Sequence, residues 1–333
     1  MIRLVQIQKG PVRRVGLVSE PGIRLLDKFN SVYSLAWVAI TGNTTLTALI
    51  EKHATNEELE YDPIYLRKSD WRLLTPMDHP DEPARCLVSG TGLTHYGSAR
   101  NRDAMHQTKG AELTDSMRMF RSGMDHGRPE PGRIGVAPEW FFKGVGTIVR
   151  ACGEPLVVPS FAGDGGEEAE LVGVYLIGPD GKPHRVGMAA GNEFADHRFE
   201  KTNYLNLAGS KIRTCSFGPE LVVAPDFRSV PGSVRIERSG RTIWSKEICS
   251  GESEMTHSLG NIEHHHFKFE SHRRPGDMHI HFFGAHSISF GDNLQLADGD
   301  AVEIKFEGFG RPLRNPISVV KEPDALVSVQ ALA

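Results

Sequence analysis

An α+β fold dominated by strands is what this 333-residue sequence predicts, and three observations carry it. From Gly132 onward, strand-like runs recur at short intervals, each closed by Gly, Pro or Asp. The first 50 residues open with short strands split by turns and then change period to one helical stretch near 31–53. One other helix is indicated, around 253–270, and no fixed-period repeat or low-complexity tract appears.

Taken in order, IRLVQIQ, RVGLVS and GIRLLD read as the strands of a small β-rich N-terminal unit. Residues 54–85 are rich in charge and proline (KSDWRLLTPMDHPDEPARC), the composition of loops and linkers, and this places a boundary between a unit at 1–85 and a larger one at 86–333. CLVSGTGLTHYGS reads as a strand ending in a Gly/Thr/His turn. The polar, Arg- and Met-containing segment 99–130 shows no clean period and is a candidate lid. The strands of the larger unit are EPLVVPS, AELVGVYLIG, ELVVAPD, SVRIERSG, RTIWSKE, DMHIHFFGA and DAVEIKFEGFG.

A net charge of −4, from 38 basic and 42 acidic residues, supplies no positive field for a polyanion, so nucleic acid is not an expected partner. Cys86, Cys152, Cys215 and Cys249 are isolated, which fits packing thiols in a reducing, cytoplasmic compartment. MIRLVQIQKG is strand-like and charged, so neither a signal segment nor a membrane span is expected.

The chemistry gathers around acidic residues. Glu168 and Glu170 stand two apart at the start of a strand-like run, so their carboxylates leave the same face. Such a pair is ordinarily a solvated face. Here it opens an apolar strand, where a bare carboxylate is costly unless a cation compensates it. Glu193, after the turn GPDGKP, is placed to return on a neighbouring strand and complete a three-carboxylate cup. All-oxygen ligation suits Mg²⁺, or Mn²⁺ or Ca²⁺, rather than zinc. Lys211, in a Gly/Ser/Cys-rich stretch, would set an amine beside that cation, a combination suited to forming the enolate of a 2-oxo acid.

Glu139 in GVAPEWFFKG lies between a proline and aromatics that would raise its pKa toward that of a general acid or base. Lys143 is the alternative, an ion-pair partner that would hold it low. His264, His265 and His266 look like a metal cluster by composition, but consecutive residues do not share a helical face. His279 and His281 do share a strand face and are candidates to line the pocket.

These segments together resemble the fumarylacetoacetate hydrolase family, over residues 1 to about 320. MIRLVQIQKGPVRRVGLV is similar to that family's N-terminal strands, CLVSGTGLTHYGSA to its first pocket turn, EEAEL to its Glu-x-Glu metal motif and GNEF to its Asn-Asp metal turn. SKIRTCSFGPEL is similar to its lysine segment, and FFGAHSISFGDNLQLADGDAVEIKFEGFGRPLRNPI to its C-terminal turns and final asparagine. PEWFFKG and HRRPGDMHIHFFG most resemble the sugar-acid branch, which includes 2-keto-3-deoxy acid dehydratases and 2,4-diketo acid hydrolases.

The resemblance implies a mixed β-roll catalytic domain around a metal pocket, a smaller N-terminal α/β domain, and a homodimer. It assigns Glu168, Glu170 and Glu193 to the metal and gives catalytic roles to Lys211 and, as acid/base, Glu139. Substrate contacts fall to Thr94, His95, Ser98, Lys143, His286 and Ser287. Two positions depart from the pattern: Glu193 stands for the usual Asp, and Ala285 for the threonine after Gly284, a lost hydroxyl that Thr94, His95, His286 or Ser287 would have to replace.

The expected activity is Mg²⁺-dependent dehydration of a 2-keto-3-deoxy sugar acid, pentonate-like, to a 2,5-dioxo acid. The alternatives are C–C hydrolysis of a 2,4-diketo-3-deoxy acid or acylpyruvate, and non-catalytic binding of a sugar acid. In each case the partner is a small 2-oxo acid.

Overall fold

In a computed structural model of the protein, residues 1–97 and 113–332 are described. The N-terminal strands form an antiparallel meander of β1 (Ile2–Lys9), β2 (Val12–Ser19) and β3 (Gly22–Leu26). The helical stretch is two helices, α1 (Val32–Thr41) and α2 (Leu46–His53). It splits because Asn43 takes a positive φ of 47° and Thr45 then caps a new helix, its hydroxyl accepting the Ala48 N–H at 3.1 Å.

The segment expected to be linker holds β4 (Ala54–Glu60), the short α3 (Tyr61–Tyr65) and β5 (Arg72–Leu73). β4 is the outermost strand of its sheet, and its exposed Glu57, Glu58 and Glu60 are the charges that made it read as loop. Charge on an edge strand discourages pairing with another chain.

β6 (Cys86–Gly92) is followed, beyond the segment that is not described, by α4 (Asp115–His126), capped by Thr114. A helix therefore occupies part of the candidate lid. Met117, Phe120 and Met124 recur at helical spacing within it, a period diluted by the polar residues around them, and only Phe120 and Gly123 of its residues are buried. Next come β7 (Glu139–Val145), β8 (Val149–Arg150), β9 (Leu156–Val158), β10 (Ala169–Ile177) and β11 (Pro183–Asn192). Two short helices, α5 (His197–Thr202) and α6 (Leu207–Lys211), precede β12 (Cys215–Phe217) and β13 (Leu221–Val223). The long hairpin of β14 (Val230–Arg238) and β15 (Arg241–Ser250) leads to α7 (Leu259–Phe267), shorter than the helix expected there. β16 (Met278–Phe282), β17 (Ala301–Phe306) and β18 (Leu313–Val319) complete the fold.

The main sheet runs β4-β3-β2-β1-β13-β11-β10-β16-β6-β7, and a second runs β15-β14-β17-β18-β9. Because β1 pairs with β13 (Arg3↔Val222), the main sheet is continuous across residue 85. One of its faces carries Val172, Val174 and Phe282 beneath Leu35 of α1, while the other packs Leu171 and Phe283 among residues of the second sheet such as Ile304 and Phe306. β10 is buried along its whole length, as a strand covered on both faces must be. Among the described residues no helix is long and apolar enough to cross a membrane.

The histidine-rich runs belong to this core. Of the triplet, His264 is exposed, His265 contacts the Gly135 carbonyl at 3.0 Å, and only His266 is buried, so the three diverge as helical geometry requires. His266 meets His279 (Nε2 to Nδ1, 3.0 Å), with His272 and His281 packed around it. The register pairs Val172 with Phe282 and Gly173 with His281, so His279 and His281 face away from Glu170. Neither lines the cavity described below.

Burial, with neighbouring imidazoles, pushes His279 and His281 down to about 3 and His266 well below its ordinary value. These rings stay neutral in the fold but take up protons once unfolded, so each costs stability as pH falls from about 6.5 toward 3. Several buried carboxyls shift upward and act in the opposite sense, so the effect is read as a difference between proteins. Relative to wild type, His279→Gln should gain about 1.4 kcal/mol per pH unit between pH 6 and 4 in chemical denaturation. A pH-independent difference would count against a buried neutral His279.

Candidate active site

The hairpin of β10 and β11 builds the acidic cluster. Ala169 pairs with Asn192 and Glu170 with Gly191, so Glu193 follows β11 directly beside Glu168, and its N–H donates to the Glu168 carbonyl at 3.0 Å. Asn192 shapes the turn: its side-chain oxygen accepts the N–H groups of Glu168 (3.2 Å) and Phe194 (3.3 Å). As the spacing predicted, Glu168, Glu170 and Glu193 converge, each offering a carboxylate oxygen within 4.8 Å of the others.

Only part of this charge is balanced by the protein. Lys211, at the end of α6, donates from Nζ to Glu168 Oε1 and, at 2.5 Å, to Glu193 Oε2. Lys143 is fully buried with its Nζ 2.6 Å from Glu193 Oε1. Glu170 accepts the Gly284 N–H at 2.7 Å. Burial together with the charges of Glu168 and Glu193 pushes the Glu170 carboxyl well above its usual range. Glu193 is raised to about 7, burial outweighing Lys143 and Lys211. Glu168 goes the other way: burial would raise it, but Lys211 and then His197 hold it well below. Three crowded carboxylates with all-oxygen donors, one of them driven toward protonation by the others, are a fit for a hard divalent cation.

For Lys211, burial favours the neutral amine, but the charges of Glu168 and Glu193 more than offset it and raise its pKa well above normal. In this arrangement Lys211 is therefore held as an ammonium rather than as the neutral amine a proton acceptor requires. Its ammonium also lies 4.8 Å from the centre of the Phe141 ring.

Lys143 corrects an expectation. It is the ion-pair partner of Glu193 rather than of Glu139, from which four residues of strand separate it by roughly 13 Å. Nζ also donates to the carbonyls of Phe194 (2.7 Å) and Lys211 (2.8 Å), and the fully buried side chain does not line the cavity described below, so it is not placed to touch a substrate.

A cavity of about 450 Å³ opens above the cluster, and Glu139, Glu168 and Lys211 line it. Glu139 is buried and projects from the start of β7 beside Gly92, where any Cβ would collide with its carboxyl. The Tyr204 hydroxyl donates to its Oε2. Two residues that the sequence does not single out thus join the site. Tyr204 contacts Glu139, and His197 lines the cavity with Nε2 3.0 Å from Glu168 Oε1. Gly166 leaves room for the His197 ring, which a Cβ there would strike.

Of the four candidates to replace the hydroxyl missing at Ala285, Ser287 reaches the cavity wall beside Ala285 itself. Thr94 instead donates to the Phe283 carbonyl beneath the Gly284 turn. His95 is buried with Nε2 3.0 Å from Ser250 Oγ, and the His286 ring packs toward Gly97. Ser98 lies outside the described residues.

No protein-family model and no curated protein sequence matches the chain. Solved structures do. A 2-keto-3-deoxy-D-arabinonate dehydratase complexed with magnesium and 2,5-dioxopentanoate is similar over 96% of this chain and 100% of its own, with a TM-score of 0.70 and 20% identity. 2-Hydroxyhepta-2,4-diene-1,7-dioate isomerase from Mycobacterium marinum covers 97% and 100%, at TM-score 0.57 and 16% identity. 5-Carboxymethyl-2-hydroxymuconate delta-isomerase from Mycobacterium smegmatis covers 96% and 100%, at 0.56 and 18%. The protein thus has the α+β fold of the fumarylacetoacetate hydrolase family.

Proposed function

We propose that the protein is a Mg²⁺-dependent hydro-lyase that removes water from a 2-keto-3-deoxy sugar acid of pentonate type, giving a 2,5-dioxo acid. The observation that carries this reading is a carboxyl, Glu139, and an amine, Lys211, lining one cavity together with Glu168, which belongs to the three-carboxylate cluster. The likeness in fold to a magnesium-bound dehydratase of such an acid supports it.

Glu168, Glu170 and Glu193 would hold the cation. When bound, it would polarise the 2-oxo acid and draw off the carboxylate charge that keeps Lys211 protonated. Lys211, once its extra proton has passed to solvent, would take the C3 proton, its position fixed by Glu168, Glu193 and the Phe141 ring. Glu139 passes a proton to the C4 hydroxyl as it leaves. The Tyr204 hydroxyl donates to Oε2 and so orients the carboxyl. Loss of water and tautomerisation give the dioxo acid with all carbons retained. Ser287, on the cavity wall, would donate to the substrate carboxylate in place of the absent threonine hydroxyl.

The test is incubation of the purified protein and Mg²⁺ with 2-keto-3-deoxypentonate and, separately, with its 4-oxo derivative. A dioxo acid of unchanged carbon count, its formation abolished by a chelator, is the expected result. Free pyruvate would redirect the assignment to C–C hydrolysis, and no turnover of either compound to a binding protein.

A further inference from the structure

Lys143 is fully enclosed beside the site, with no exposed side-chain surface. Glu139, Phe141 and Lys143 alternate along one face of β7, but only the first lines the cavity. From beneath, the Lys143 ammonium joins two separate pieces of chain: the turn after β11, through the Glu193 carboxylate and the Phe194 carbonyl, and the end of α6, through the Lys211 carbonyl. The two lysines divide Glu193 between them, Lys143 on Oε1 and Lys211 on Oε2.

We propose that Lys143 is a positioning residue for the cation cluster: it fixes the Glu193 carboxylate and the Lys211 main chain from behind, and thereby sets cation affinity. This rests on reading Glu168, Glu170 and Glu193 as the cation's ligands. A stabilising ion pair alone would need only the Lys143–Glu193 contact. The two carbonyl contacts instead tie a candidate ligand and the site amine to one ammonium, so that neither shifts without the other. The longer side chain of Glu193 has a use here, since its carboxylate meets two ammonium groups, one on each oxygen.

The experiment is calorimetric titration with Mg²⁺, and with Mn²⁺ followed by electron paramagnetic resonance, on wild type, Lys143→Met, Glu193→Gln and the double variant. Lys143→Met is expected to bind about 10–100-fold more weakly, the range found when partners that orient metal ligands are removed. In the Glu193→Gln background the same change should have little further effect, because its route to the cation is already gone. Equal affinity in Lys143→Met and wild type would overturn the proposal, as would losses that simply multiply in the double variant. A wild type that binds neither ion would instead overturn the reading of the three carboxylates, and this inference with it. Should Lys143→Met fail to fold, Glu193→Asp asks the same question with Lys143 in place. One methylene shorter, its carboxylate cannot reach both lysines, and weaker binding is expected; affinity equal to wild type would refute the idea.

Discussion

Lys211→Met is expected to lower turnover of a 2-keto-3-deoxy acid by about 10³–10⁴-fold while Mg²⁺ still binds. Methionine matches lysine in length and can lie against the Phe141 ring as the ammonium does, so the local packing survives. What disappears is the group that would handle the C3 proton. The three carboxylates remain, now without the ammonium shared by Glu168 and Glu193. Buried charge left unpaired is costly, so the variant without Mg²⁺ should melt below wild type and recover much of that loss when Mg²⁺ is added. Calorimetry and a product assay on the same sample separate the outcomes. Loss of Mg²⁺ binding would mean that the amine helps build the cation site, and near-normal turnover would remove it from the chemistry.

Glu139→Gln is expected to abolish dehydration, by about 10²–10⁴-fold, yet to leave slow exchange of the substrate C3 hydrogens into deuterated water. The amide oxygen can still accept the Tyr204 hydroxyl, and glutamine fills the same space beside Gly92, so the change removes a transferable proton with little disturbance of shape. Proton abstraction by Lys211 and departure of the C4 hydroxyl are thereby uncoupled. If exchange, followed by nuclear magnetic resonance, fails together with dehydration, Glu139 acts at the first step rather than the second.

Much of the acidic cluster is legible in the sequence because it is local. Glu168, Glu170 and Glu193 belong to one hairpin, and a period of two along a strand places the first pair on one face from spacing alone. Lys143 misleads for the opposite reason. Its alternation with Glu139 is visible, but its partner is fixed by where α6 and the turn after β11 pack, 50 residues and more away in sequence. Tyr204 and His197 sit in short helical turns with no periodic pattern, so nothing in DHRFEKTNYLNLAGSK marks them as reaching Glu139 and Glu168. The histidines mislead by composition: four buried imidazoles pack against one another in a core layer on the far side of the sheet. In the fold, β4 is hidden by its own charge, since the residues that protect an edge strand are those that ordinarily mark a loop.

The pairing of β1 with β13 bears on how the chain can be cut. β13 is also bonded to β11, the strand that delivers Glu193, so the amino-terminal meander is spliced into the scaffold of the acidic cluster at one remove. A fragment begun at Cys86 would bare the flank of β13, a row of peptide groups ready to recruit a foreign strand, and would loosen the support of Glu193. Excising the first 85 residues is therefore expected to cost the keystone of that scaffold and to disturb the acidic cluster along with the meander.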